Sequence, residues 1–412
     1  MLTPYDLNLR HLLALRLIAQ HGRMRCAAGV AGLSQPALTQ ALAKIEHQLG
    51  TALFMRSTLG MVPTQAGEGV IARVSAAFEH LSAAARSLSG AGRRGFARPE
   101  NLFTTTQLRG LLSLADAGSF VGAAQLTGLA QPALHRAVRE IEELCGLPLV
   151  ERRGRGVALT SSGQRLAKGC RLAVLELAAA LHDLREGGAL TGRLTIGAMP
   201  LCRVRLLPEA VARLSQEIAP GAKIDVVEGS YRELLEPLRD GRVDLMIGAL
   251  RGQPPPDLRQ RPLFADRLVV TARADHPLAN QGEVTLKMLA SYPWIVGTTA
   301  TPSREQWERL FDSAGIARPD APVECGSVMT TRGVLMKSDF LTLLSPDQIV
   351  METKTGMLVQ IGEPLAESLR IIGVTTRQDW QPTGLQRRFI ELIAQTAGID
   401  DVRLAGAVGK KI

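Results

Sequence analysis

Apolar residues recur at helical spacing through roughly the first half of the chain and then give way to short apolar runs alternating with helical stretches. Leu12, Leu15 and Ala19 predict a first helix near Leu7–Ala19, closed by Gly22. A short alanine-rich helix follows, then a turn holding Gly32 and Leu33. Ser34 is a good N-cap for a third helix, and Pro36 falls in its first turn, where its missing N–H is harmless. In that helix Ala37, Leu38, Ala41, Leu42, Ile45 and Leu49 form one face, while Gln35, Thr39, Gln40, Ala43 and Lys44 form the other. Residues Ala52–Thr64 read as a hairpin, and Gln65–Leu88 as a long alanine-rich helix.

Shifting the chain against itself by 96 residues exposes a duplication without gaps. Gly22, Ala27, Ala28, Gly32 and Leu33 recur as Gly118, Ala123, Ala124, Gly128 and Leu129, and Gln35-Pro36-Ala37-Leu38 as Gln131-Pro132-Ala133-Leu134. Ile45-Glu46, Gly50, Leu53, Arg56, Gly60, Thr64 and Gly67 recur as Ile141-Glu142, Gly146, Leu149, Arg152, Gly156, Thr160 and Gly163. Two copies this long are two domains rather than a solenoid. The expected order is a winged helix-turn-helix in 1–64, a helix in 65–88 and a flexible linker in 89–104. A second winged helix-turn-helix in 105–160 and a second long helix in 161–187 follow. The second copy lacks the cap serine, since Ala130 stands at its place.

The long helices carry matched narrow stripes: Val70, Val74, Ala77, Leu81, Ala84 and Leu88 against Leu166, Cys170, Ala173, Leu177, Ala180 and Leu184. Two arrangements fit them equally. Either the helices of one chain pack on each other, or each pairs with its counterpart in a second chain.

From Arg193 onward, strands at Leu194–Ala198, Ile224–Glu228, Asp244–Ala249, Arg267–Ala272, Trp294–Val296, Phe340–Leu344 and Leu369–Thr375 alternate with helices. That order predicts βαβ units and a mostly parallel sheet. Ligands in such sheets lie beyond the C-terminal ends of strands. Two segments meet that description. Met199-Pro200-Leu201-Cys202 follows the first strand, and Thr298-Thr299-Ala300-Thr301-Pro302-Ser303-Arg304 follows Trp294–Val296. In the latter, Thr301 is expected to cap a helix with Pro302 at its first position, leaving N–H groups and hydroxyls for an anion to which Arg304 adds charge. A capped helix with no ligand is the plainer reading.

Composition changes the picture little: 46% hydrophobic and 21% charged residues are globular values, and 412 residues are enough for two to four domains. No apolar run is long enough to span a bilayer, and Asp6, Arg10, His11 and Arg16 interrupt the N-terminus, so a cytoplasmic protein is expected. Cys26, Cys145, Cys170, Cys202 and Cys325 lie far apart, which argues against disulfides and a zinc site and for reduced, mostly buried thiols; no metal or cofactor is expected. Charge is more informative. Residues 1–187 hold 21 Lys and Arg against 13 Asp and Glu, whereas residues 188–412 hold 27 against 26. The excess of positive charge sits with the duplicated modules.

The exposed face of the third helix then acquires a chemical meaning. A polar, cation-bearing face on a helix braced by a shorter one suits the major groove, where Gln pairs bidentately with adenine and Lys or Arg reaches guanine or phosphate. The candidate contacts are Ser34, Gln35, Pro36, Thr39, Gln40 and Lys44, with Arg56 on the wing. In the second copy they are Gln131, Pro132, His135, Arg136 and Arg139, with Arg152, Arg153 and Arg155 on the wing. Solvated faces of two small helical domains are the bland alternative. It weakens because the whole pattern occurs twice.

The run Ala27-Ala28…Leu33-Ser34-Gln35-Pro36-Ala37-Leu38…Ile45-Glu46…Leu49-Gly50…Leu53-Phe54…Arg56…Thr64…Gly67 resembles the winged-helix signature of the LysR-type transcriptional regulators, present here twice. The resemblance continues through Gly192-Arg193-Leu194-Thr195-Ile196-Gly197 and Leu206-Leu207-Pro208 to about residue 397. Val226-Val227-Glu228-Gly229, Val243-Asp244-Leu245-Met246-Ile247-Gly248 and His276-Pro277-Leu278-Ala279 are similar to the branch of galactose-binding-protein regulators. The resemblance implies two α-rich winged helix-turn-helix domains and an α/β effector domain in 192–397 of periplasmic-binding-protein type 2, with a tail in 398–412. One lobe of the effector domain would hold about 192–268 and 370–397, the other about 269–369. It adds Gly248, Gly326 and Ser327 as pocket walls. It also implies a regulator that binds double-stranded DNA, a small carboxylate, aromatic or sugar-derived inducer, further copies of itself as a dimer or tetramer, and RNA polymerase. An enzyme is not expected, since no G-x-S-x-G, Walker loop, H-E-x-x-H or carboxylate pair stands in a fitting context. A solute-capture receptor would need an export signal and no winged helices.

Overall fold

In a computed structural model of the chain, residues 2–58, 60–88, 96–154, 156–184, 189–299 and 301–398 are described. They fall into two compact units, Met1–Gly192 and Arg193–Ile412. Among the described residues no helix is long and apolar enough to cross a membrane.

The first unit repeats one series of elements. Helices α1 (Leu9–His21), α2 (Met24–Ala31) and α3 (Gln35–Leu49) precede a hairpin of β1 (Phe54–Ser57) and β2 (Gly60–Pro63) and the long helix α4 (Gln65–Ser87). Then α5 (Thr105–Ala117), α6 (Phe120–Thr127), α7 (Gln131–Cys145), β3 (Val150–Arg153), β4 (Gly156–Leu159) and α8 (Ser161–Asp183) repeat the order. Gly22 and Gly118 end the first helices in the left-handed region, at φ 65° and 64°.

The recurring residues are those that fasten hairpin to helices. The Glu46 carboxylate accepts from the N–H groups of Leu53 and Phe54 at 2.7 and 3.2 Å, and Glu142 does the same for Leu149 and Val150 at 2.8 and 3.2 Å. The second strand of each hairpin bonds to the end of the first helix, Met61 N–H to Gly22 at 2.7 Å and Val157 N–H to Gly118 at 3.2 Å. Thr64 and Thr160 cap the long helices through Gly67 and Gly163. A Cβ on either glycine would sit about 2 Å from the carbonyl oxygen of Leu53 or Leu149, so only hydrogen fits.

Within one chain the two long helices pack on each other. α4 packs on α8, and one continuous core joins both copies, with Val70, Val74, Ala77, Leu81, Leu166, Cys170, Ala173 and Leu177 along the seam. A buried ion pair crosses it. The Arg73 guanidinium donates to Glu176 at 2.9 Å and to Asp183 at 3.0 Å, with the Arg73 and Glu176 side chains 6% and 9% exposed. Deleting one member of such a pair strands a charge in the interior and costs about 3–5 kcal/mol.

The expected flexible linker 89–104 is only partly a linker. Residues 89–95 lie outside the described ones, but Pro99–Asn101 form a 3-10 turn, Glu100 is buried against Ser82, and Phe103 lies fully inside the core. The Gly, Arg and Pro content of the stretch hid one large apolar side chain that anchors its end.

The second unit runs β5 (Arg193–Ala198), α9 (Leu206–Ser215), β6 (Lys223–Glu228), α10 (Tyr231–Arg239), β7 (Leu245–Ala249), β8 (Leu258–Asp266), β9 (Val269–Arg273), α11 (Leu286–Ala290), β10 (Ile295–Val296) and α12 (Pro302–Asp312). It continues with β11 (Val323–Glu324), α13 (Val328–Leu335), β12 (Thr342–Leu344), α14 (Val350–Lys354), β13 (Leu358–Ile361), β14 (Arg370–Arg377) and α15 (Gly384–Thr396). One sheet has the order β6-β5-β7-β14-β8 and a second the order β12-β9-β13, with β10 and β11 paired parallel beside it. The expected mostly parallel sheet is corrected to mixed sheets. β5 is parallel to β6 and β7, but β14 runs antiparallel to β7 and β8, and every pairing in the second sheet is antiparallel. β14 enters the first sheet from the opposite direction after the chain has passed through the second. Its neighbour β8 went unpredicted because Arg259, Gln260 and Arg261 dilute its apolar pattern.

Asp244 fastens the first sheet. Its carboxylate accepts from the Thr195 N–H at 2.7 Å and pins β5 to the start of β7, while burial pushes its carboxyl above the usual range. In the second sheet's core, Trp294 meets Phe311 edge-on at 5.6 Å, with Trp307 beside both.

Two expectations follow. Ser34 caps α3 through the Ala37 N–H at 3.3 Å, whereas Ala130 offers α7 no side-chain cap. Ser34→Ala should therefore destabilise the first unit by about 0.5–2 kcal/mol in denaturant unfolding, and Ala130→Ser should stabilise it by an amount toward the lower end of that range. Among thiols, Cys26 is exposed and Cys325 half-buried, while Cys145, Cys170 and Cys202 are buried. A thiol reagent should modify Cys26 fastest and leave those three intact until the chain is unfolded, as mass spectrometry of digests would read.

Candidate nucleic-acid interface and effector-binding residues

α3 buries Leu38, Ala41, Leu42 and Ile45. Gln35, Thr39, Gln40, Ala43 and Lys44 stay in solvent, the division expected from the sequence. The Thr39 hydroxyl donates to the Gln35 carbonyl at 3.0 Å, so it faces outward only as an acceptor. Gln35, Pro36, Thr39, Gln40 and Ala43 line one shallow groove. Arg56 is exposed on β1, and Arg23 passes beside the hairpin, its Cγ lying 3.7 Å from a Cβ placed on Gly60. Arg23 was missed in sequence because it stands at the start of the short helix, outside the repeat's shared residues.

α7 buries Leu134, Ala137, Val138, Ile141 and Cys145 and exposes Gln131, Pro132, His135, Arg136 and Arg139. The two helices are not chemically equivalent. His135, at the place of Thr39, stacks on the Phe120 ring with centroids 3.6 Å apart and planes at 20°. One face of the imidazole is thereby covered, and Gln131, His135, Glu151 and Arg152 share a groove with Ser119 and Phe120. Arg152 and Arg153 are exposed on β3; Arg155 lies outside the described residues. Glu46 and Glu142, not singled out as site residues, set the angle between each helix and its hairpin.

In the second unit the expected effector residues form two groups, and several are already engaged. Met199, Leu201 and Cys202 are buried, with Pro200 exposed. The Cys202 thiol donates to the carbonyls of Met199 at 3.1 Å and Ile247 at 3.4 Å, and burial pushes its pKa up to about 12. Gly248 is covered by Met199, since a Cβ there would lie 2.2 Å from the methionine's Cε. Leu201 and Cys202 are thus core residues rather than pocket wall, and their apolar character already fits that role.

The other group gathers at the ends of β10 and β11. Gly326 faces Thr298, a Cβ there lying 3.6 Å from the threonine methyl, and Ser327 caps α13 through the Thr330 N–H. Thr301 stands at the N-cap position of α12, yet its side chain does not cap; the hydroxyl donates to the Thr298 carbonyl at 2.7 Å. Arg304 is not a free charge. It is bound to Glu308 at 2.8 Å, lies 3.6 Å from Glu324 and stacks over Trp307. Glu324 also accepts from the Thr299 N–H at 3.3 Å. The turn therefore combines open hydroxyls and a helix start with a competing carboxylate. Among the described residues, no group of three or more His, Cys, Asp or Glu could hold a metal ion.

Comparison with known proteins agrees with this geometry. A model described as a bacterial regulatory helix-turn-helix protein of the lysR family matches residues 9–68 and 105–164, and the LysR substrate binding domain matches residues 187–398. The HTH-type transcriptional regulator GalR of Pseudomonas putida is 31% identical over 372 residues, covering 90% of this chain and 92% of that protein. PcaQ of Agrobacterium fabrum is 26% identical over 293 residues, or 71% of this chain and 94% of that one. The solved full-length structure of an OxyR variant from Pseudomonas aeruginosa shares the fold at a TM-score of 0.54 and 23% identity, covering 72% of this chain and 98% of that one. The curated relatives are named as regulators, and the chain is a regulator rather than an enzyme. From its helix-turn-helix segments to its substrate-binding domain, the chain belongs to the LysR family of transcriptional regulators.

Proposed function

We propose that both winged modules of this regulator read duplex DNA and that its C-terminal unit takes a small carboxylate, aromatic or sugar-derived inducer. The observation that carries the first part is the outward face of α3 and α7: polar and cationic on helices whose other face is buried, each braced by a glutamate to its hairpin. In the first module Gln35 and Gln40 offer amides to base edges, Lys44 and Arg56 reach phosphates, and Ser34, Pro36 and Thr39 set the approach of the helix start. Arg23 adds a phosphate contact at the wing. In the second, Arg136 and Arg139 suit guanine or phosphate, Gln131 with Pro132 opens the helix, His135 presents a ring edge steadied by Phe120, and Arg152 and Arg153 flank the backbone. RNA polymerase and further copies of the chain are the protein partners this role implies.

For the inducer, the hydroxyls of Thr298 and Thr299 and the uncapped start of α12 supply donors to a carboxylate. Gly326 and Ser327 form the adjoining wall, and the exposed Pro200 follows β5, with Met199 buried beneath it over Gly248. Arg304 orients through Glu324 rather than binding directly.

Binding to DNA should fall steeply with salt. Arg136→Ala and Gln40→Ala should each weaken binding by about 1–3 kcal/mol in mobility-shift titrations, and Lys44→Ala should lower the salt slope by roughly one. Full binding by Gln40→Ala with loss in Arg136→Ala would mean that the first module does not read sequence. For the inducer, calorimetry against a panel of small acids should give heat with at least one carboxylate, reduced in Thr298→Val. Heat only from neutral amines or metal ions would reject the carboxylate reading.

A further inference from the structure

The 96-residue offset lets the two long helices be compared position by position. It carries Arg73 onto Gly169, Glu176 onto His80 and Asp183 onto Ser87. Arg73 meets Glu176 across the seam, and the pair related to it by the repeat also meets: a Cβ on Gly169 would lie 2.8 Å from the His80 carbonyl oxygen and 2.3 Å from the Ala84 Cβ. Contacts that rise along α4 fall along α8, so the helices run antiparallel about an approximate two-fold axis near Ala77 and Ala173. The axis relates unlike chemistry. One side holds a buried cation between two carboxylates, the other a bare glycine pressed on backbone.

We propose that this asymmetry selects the partner: α4 takes α8 of its own chain, and neither helix pairs with its own counterpart in a second chain. Pairing α4 with α4 would put Arg73 against His80 and Ser87 on both sides, where it now meets Glu176 and Asp183. It would also place an arginine side chain where only the hydrogen of Gly169 fits. Pairing α8 with α8 would turn Glu176 toward Gly169 on both sides, leaving two buried carboxylates that have lost their guanidinium. Only the pairing of α4 with α8 satisfies the charge and the close approach together, and within one chain the two already meet. A single chain thus supplies a complete two-headed unit whose heads differ. The consequence for DNA rests on the reading proposed above, but the seam does not.

The test uses the full chain without DNA. Arg73→Glu and Glu176→Arg should each lower the unfolding midpoint of the first unit by roughly 6–20 °C, followed by circular dichroism. The double variant should recover much of the loss. Co-expressed chains carrying one substitution each should not recover. Unchanged melting in both single variants overturns the proposal, as does recovery in the mixture, which would mean that α4 pairs with α8 of a second chain. Independently, with Cys26 and Cys325 replaced by serine, mild oxidation of Ala77→Cys/Ala173→Cys should give a fast-migrating product of single-chain mass. Covalent dimers of the Ala77→Cys variant alone would overturn it.

Discussion

The first unit depends on one antiparallel helix seam. The buried apolar residues of both winged modules form one cluster with the long helices. The first helix of each packs on α4 or α8, and the two sets merge where those long helices meet. Small residues at the crossing, Ala77, Ala84, Ala173 and Gly169, bring the backbones close, and the Arg73 pair lies in the space that remains. A duplicated gene segment gives two identical faces at first. Divergence at three positions is enough to make those faces complementary to each other rather than to themselves.

The same divergence reaches the outward surface. Thr39 and Arg23 of the first module correspond to His135 and Ser119 of the second, and the hairpin of the second carries Glu151, Arg152 and Arg153 where the first has Met55, Arg56 and Ser57. Shared residues such as Gly22, Glu46, Thr64 and Gly67 act inside, fastening helix to hairpin to long helix. On the outward helix face Gln35 and Pro36 recur as Gln131 and Pro132, while Thr39 gives way to His135 and Gln40 to Arg136.

Much of this could be read before the structure because it is local. A serine before a proline-started helix and a glycine one turn past an apolar stripe act within a few positions of themselves, and the 96-residue echo needs only the chain set against itself. The parts that escaped depend on distant partners. Glu46 looks like an ordinary surface acid until the N–H groups of Leu53 and Phe54 are folded back to it. Arg73 stands beside Val74 in the stripe and draws no notice until Glu176 arrives from about a hundred residues away. Thr301 has the residue type and position of a cap, but a nearer carbonyl takes its hydroxyl. Arg304 looks like an anion ligand only while Glu308 and Glu324 are out of view.

On the proposed reading, one chain presents two unlike DNA-reading surfaces held in fixed relation. Selection of bound duplexes from a random pool, followed by hydroxyl-radical footprinting of the wild-type protein, measures this most directly. Each chain should protect two major-groove segments of different sequence. Two protected segments forming an inverted repeat of a single half-site would contradict it.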